Sequence, residues 1–162
     1  MPPPRLALFV SGLDDTPAGQ AAVALAEALR QRGFGLDVVA PMGGGTLRAT
    51  LHPGIGQIDL AKRHTAGSVL ALARIVAERR PVGLIGVGSD AGLVALGAVR
   101  LARQGTPTAV LEEPSAASGG VLRRALRGWL HPRAAAVLHG AADPGAAAGR
   151  LLAAFGCPGE IR

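Results

Sequence analysis

Short, unbroken apolar runs alternate along this chain with longer segments whose apolar residues recur every three or four positions. The first run, residues 5–10 (RLALFV), reads as a strand. A polar turn follows, and residues 18–32 then place Ala22, Leu25, Ala26 and Leu29 on one helical face. Gly33 suits the left-handed residue that ends a helix. Residues 36–40 form a second strand, after which Pro41 and the glycines 43–45 open an irregular stretch reaching Pro53. A weaker third strand spans 55–60. The spacing predicts a helix over 65–79, with Val69, Leu72, Ala73 and Val76 at i, i+3, i+4 and i+7 and Pro81 stopping it. A fourth strand (82–87), a helix (91–103) ended by Gly105, a fifth strand (108–111), a helix (119–130) and a sixth strand (134–138) follow. Asp143-Pro144 is an N-cap with a first-position proline, opening a last helix that runs to about residue 155.

Six strands thus alternate with five helices, except between strands two and three. Several strands are apolar at every position, which marks a parallel sheet covered on both faces. Right-handed crossovers then give a doubly wound, mainly parallel, Rossmann-like α/β fold. Residues 1–162 read as a single domain without internal repeats.

Composition narrows the function. Hydrophobic residues make up 49% and aromatics only 2%, so Ala, Val, Leu and Ile build the core. The net charge is +6, carried almost wholly by arginine, with Lys62 the sole lysine. A basic balance suits anionic partners. The aromatic platform of a single-strand binder is missing, as are a basic tail and a zinc pattern, so nucleic acid is not an expected partner. Cys157 is the sole cysteine, which points to a reducing, cytoplasmic compartment. The histidines at 52, 64, 131 and 139 show no metal-ligand spacing, and neither metal nor cofactor is expected. The start of the chain does not read as a signal peptide. Residues 82–99 contain Ser89, Asp90 and five glycines, which fits a strand, turn and helix better than a membrane span.

Ligands of such a sheet bind at the carboxyl ends of its strands. The first turn carries Asp14, Asp15 and Thr16 before Pro17. Its acids would repel a phosphate; they suit a sugar hydroxyl, or simply the dipole of a capped helix. Gly86-Val-Gly88-Ser-Asp-Ala91 follows a strand, opens a helix and matches a G-x-G-x-x-A dinucleotide fingerprint. Glu112, at the end of the next strand, stands where a ribose-binding acid would. That fingerprint usually sits on the first βαβ unit, whereas this one follows the fourth strand. Glu112 and Glu113 are an adjacent acid pair after a buried strand: a base, a grip on hydroxyls, or one half of an arginine pair. His139 follows the sixth strand and is either a crevice residue or a structural one. Residues 121–130 form an amphipathic helix whose Arg123, Arg124 and Arg127 fall opposite its apolar stripe. This is either a solvated face over a packed stripe or a peripheral contact with anionic lipid or a phosphorylated acceptor.

The order and spacing of these pieces resemble the N-terminal domain of family 4 glycosyltransferases, which have the GT-B fold. The first strand, Leu25-Ala-Glu-Ala-Leu-Arg-Gln-Arg-Gly33 and Leu36-Asp-Val-Val39 look like that family's first βαβ unit. Leu72-Ala-Arg-Ile-Val-Ala-Glu-Arg-Arg-Pro81 resembles its helix before the fourth strand. Leu130-His-Pro-Arg-Ala-Ala-Ala-Val137 and Phe155-Gly-Cys-Pro-Gly-Glu-Ile161 are similar to later segments. The resemblance implies an acceptor-side half of a retaining glycosyltransferase, inactive without a half that binds the nucleotide-sugar donor. It implies a sugar or lipid-linked acceptor, and a separate donor-half protein or a homo-oligomer as partner. Asp14, Asp15, Thr16, Ser89, Asp90, Glu112 and His139 would line the crevice, with Glu113 as base. The chain departs from the family in three places. Thr16-Pro17 replaces Gly-Gly, and Pro17 has no N–H to offer a phosphate. Glu113 stands for a histidine, and His139 for a serine. Two other expectations stand beside this one: a non-enzymatic nucleotide or dinucleotide module using Gly86, Gly88 and Glu112, and a dimerising scaffold.

Overall fold

The computed structural model describes residues 2–112, 120–140 and 143–161. In chain order they form β1 (Arg5–Val10), α1 (Pro17–Gln31), β2 (Gly35–Ala40), β3 (Gly56–Asp59), α2 (Val69–Arg79) and β4 (Gly83–Val87). Then come α3 (Ser89–Ala102), β5 (Thr108–Glu112), α4 (Val121–Leu130), β6 (Ala136–His139) and α5 (Pro144–Ala154). The strands make one six-stranded sheet in the order β3-β2-β1-β4-β5-β6, every neighbouring pair parallel. This is the doubly wound, Rossmann-like α/β fold expected from the continuous apolar runs.

Alternation within each strand divides the core between the two faces of the sheet. Leu6, Leu8 and Val10 of β1 join Leu36 and Val38 of β2 beneath α1 and α5, whose Leu25, Leu29, Leu151 and Leu152 are fully buried. Ala7 and Phe9, with Val39 and Leu84, face the other way, against Leu72 and Val76 of α2 and Val94 and Ala95 of α3. A smaller cluster of Leu96, Val110 and Leu130 is where α4 touches the body.

Local chemistry sets the element ends. Thr16 caps α1, its Oγ1 accepting from the Gly19 N–H at 3.1 Å, and Asp143 caps α5 through the Gly145 N–H at 2.9 Å. The helix expected from residue 65 begins at Val69; a 3-10 turn over Ala66–Ser68 precedes it, where the Ser68 hydroxyl donates to the His64 carbonyl. Arg80 ends α2 in the left-handed region (φ 46°), because Pro81 disfavours a right-handed helical residue before it. The left-handed cap of α3 is Arg103 (φ 52°), two residues ahead of the glycine expected there.

The packed stripe expected on α4 is the chief correction. Val121 and Leu122 are both 75% exposed, Trp129 is 49% exposed, and Leu130 is the buried residue of the helix. Two of its arginines reach carboxylates instead, Arg123 the exposed Asp90 in the first turn of α3 and Arg127 the buried Glu112 at the end of β5.

Candidate functional site

The strand order reverses direction between β1 and β4, so the loops after these strands part and leave a crevice at the carboxyl edge of the sheet. Four stretches reach this edge: the turn after β1, the start of α3 after β4, the end of β5, and the end of β6.

After β1, buried Leu13 pins the turn and its carbonyl accepts from the Leu47 N–H at 2.8 Å. Gly45 (φ +106°) lets the glycine loop cross here, since a Cβ would stand 2.4 Å from the Leu13 carbonyl carbon. Asp14 and Asp15 are exposed at the mouth, and Asp15 accepts from the Gln20 side chain. Thr16 is spent on capping α1.

After β4, Gly88 (φ +98°) turns the chain directly into α3. Gly86 and Gly92 bring that helix close. A Cβ on Gly86 would stand 2.6 Å from the Cα of Gly92, and one on Gly92 would stand 2.4 Å from Cγ1 of Val110. The Ser89 hydroxyl oxygen is buried with no hydrogen-bond partner among the described residues. Asp90 pairs with Arg123 of α4 at 3.1 Å.

The densest cluster gathers on Glu112, the last residue of β5 and only 4% exposed. Its Oε1 accepts from Nε of Arg127 at 3.2 Å and also from Nη2 of the same guanidinium. Nδ1 of His139 lies 3.3 Å from Oε2, across the β5–β6 register that pairs Glu112 with His139. Nε2 of His131 lies 3.5 Å from Oε1, buried and without a hydrogen bond. Burial holds the His131 imidazole below its usual range, against the pull of Glu112 and with the push of Arg127 and His139. The arrangement is a fixed, charge-compensated carboxylate beside two imidazoles, one exposed and one enclosed. It can present a hydrogen-bonding surface to hydroxyls.

The sequence-predicted residues therefore fall into groups. Glu112 and His139 are in contact. Asp90 and Glu112 are linked through α4, which carries both of their arginines. Asp14, Asp15 and Thr16 stand across the crevice, with no hydrogen bond or ion pair to Glu112 or His139 among the described residues. Glu113, the expected base, lies outside the described residues. Of the arginines read as a peripheral lipid contact, Arg123 and Arg127 are engaged with Asp90 and Glu112, and Arg124 is exposed. Arg127 and His131 are the residues missed as members of the site. The possible Glu–Arg pair was legible, but not which arginine completes it.

This fold and site define a doubly wound α/β domain with its crevice at the topological switch point. No protein-family model matches the sequence, and no curated protein sequence matches it. Solved structures do. MurG of Acinetobacter baumannii is similar at TM-score 0.59 and 20% identity, over 85% of this chain and 41% of that one. UGT2 of Phytolacca americana, solved with UDP-2-fluoro-glucose and pterostilbene, is similar at TM-score 0.51 and 16% identity, over 67% and 30%. The protein MT0777 is similar at TM-score 0.52 and 16% identity, over 94% of this chain and 97% of its own. The chain thus spans less than half the length of MurG and of UGT2, and what it shares with all three is the doubly wound α/β fold.

Proposed function

We propose that the domain is the acceptor-side part of a family 4-type glycosyltransferase, transferring no sugar by itself and acting with a part that binds the nucleotide sugar. One observation carries the reading. In a fold of this kind, the crevice edge is lined with groups suited to hydroxyls and not to phosphates: exposed Asp14 and Asp15 on one side, Asp90, Glu112 and His139 on the other. Carboxylates and imidazoles grip sugar hydroxyls, while acids at a helix start repel the phosphates of a donor. The Arg127 clamp fixes Glu112 in place, the preorganisation that a positioning group needs. Under this reading Glu113 is the base, and the donor-binding part supplies the rest of the active site.

The alternative, a dinucleotide module, finds support in Gly88 and in the close approach of Gly86 to α3. Against it, the fingerprint follows the fourth strand, whereas a dinucleotide fingerprint usually sits on the first βαβ unit. Saturation-transfer NMR with simple hexose and N-acetylhexosamine glycosides separates the two. The acceptor reading expects transfer to the glycosides, weakened by Asp14→Asn plus Asp15→Asn. Glycosides that receive no saturation, while NADH does, would overturn it.

A further inference from the structure

The far end of the sheet carries a second arrangement that the crevice does not use. Arg100, near the end of α3, stacks over the indole of Trp129 with its guanidinium carbon 4.6 Å from the ring centroid. Arg133 stacks on the same ring at 4.7 Å, and its Nη1 also donates to the Trp129 carbonyl. The two guanidinium carbons therefore cannot lie further apart than these two distances together. No carboxylate pairs with either arginine among the described residues, in contrast to Arg5, Arg123 and Arg127. Two cations on one aromatic ring repel each other, and stacking holds both against that repulsion.

They border a cavity of about 380 Å³ between the end of α3, the start of β5 and the turn after α4, opposite in direction from the crevice because it opens beside Thr106, Pro107 and Thr108. Its wall is apolar, from Leu96 and Leu130, and no acid lines it. Thr106 and Thr108 are its buried hydroxyl residues, with the Thr108 hydroxyl donating to the Thr106 carbonyl. Two stacked guanidiniums without a counter-ion, over a partly apolar pocket, make a receptor for an oxyanion with several acceptor atoms. Guanidinium forks match phosphate oxygens, and stacking lowers the entropy lost on binding.

We infer that Arg100, Trp129 and Arg133 bind a phosphate ester whose small apolar body enters the pocket between the end of α3, the start of β5 and the turn after α4. The site is independent of the acceptor reading, lying at the opposite edge of the sheet. The phosphate belongs either to a soluble ester or to a lipid headgroup.

Trp129 is the sole tryptophan and the chain has no tyrosine, so its fluorescence reports this site alone. The purified protein is titrated with phenyl phosphate at constant ionic strength, and separately with phosphatidylcholine vesicles with and without phosphatidic acid. A saturable change in Trp129 emission with phenyl phosphate assigns a soluble ester. A change only with vesicles containing phosphatidic acid assigns a headgroup. In either case Arg100→Gln plus Arg133→Gln weakens binding at least ~10-fold, as loss of charge-assisted hydrogen bonds should. Because the double substitution also alters the indole's surroundings, ³¹P line broadening of phenyl phosphate, or vesicle co-sedimentation, is read in parallel. A response no greater than that of chloride in both titrations, or equal binding by the double variant, would overturn the site.

Discussion

Burial holds the His131 imidazole below its ordinary value near 6.5; Glu112 opposes this, while Arg127 and His139 add to it. The folded protein therefore takes up this proton at lower pH than the unfolded chain does. In the window between, the unfolded state binds more protons, so stability rises with pH there. The contribution is complete above the unfolded value and is lost as pH falls through the folded one. Thermal melting between about pH 7.5 and about pH 5 should show falling stability, and His131→Gln should flatten that fall. An equal fall in the wild-type protein and in the His131→Gln variant would contradict this placement of His131. At this scale, the residues that follow strands were legible, because strand ends fix where Glu112 and His139 must stand. Arg127 and His131 were not, because their roles depend on how α4 is rotated, and its periodicity points the wrong way.

Helix α4 sets the limit of pattern reading at the scale of the element. Its stripe of Val121, Leu122, Leu126 and Trp129 has the spacing of a core face, yet all four are exposed. Arg123 and Arg127, one turn apart, instead face the carboxylates of Asp90 and Glu112. The helix brings its arginines, not its apolar stripe, to the acids at the crevice edge, and no count of apolar residues contains that information. Helix α3 is the opposite case: the glycines that suggested a fingerprint do mark a close approach of helix to sheet. A methyl on Gly86 meets backbone, the Gly92 Cα at 2.6 Å and the Ala91 carbonyl oxygen at 2.9 Å, whereas a methyl on Gly92 meets the Val110 side chain. Backbone cannot give way as a rotamer can. Gly86→Ala should therefore destabilise by about 1–3 kcal/mol in urea unfolding. Gly92→Ala should cost less, since replacing a helical glycine by alanine returns up to ~1 kcal/mol. The reverse order would mean that α3 does not rest on β4 as described.

The whole molecule was the most legible scale. Six short runs, several of them apolar at every position, point to a sheet covered on both faces, and the helices between them to parallel strands. The single exception, the β2–β3 connection without an α-helix, was also visible in its Pro and Gly content. What the runs could not supply is the use of the crevice, because the same doubly wound sheet occurs in proteins as different in length as MurG and MT0777. Among the described residues no helix is long and apolar enough to cross a membrane. The acceptor-side reading is most directly tested by thermal shift of the purified protein against glycosides, nucleotide sugars, free nucleotides and NAD(H), since a ligand of the native state raises the melting point. The account predicts stabilisation by glycosides and none by NAD(H). Stabilisation by NAD(H) alone, abolished by Gly88→Leu, would contradict it and assign the crevice to a dinucleotide.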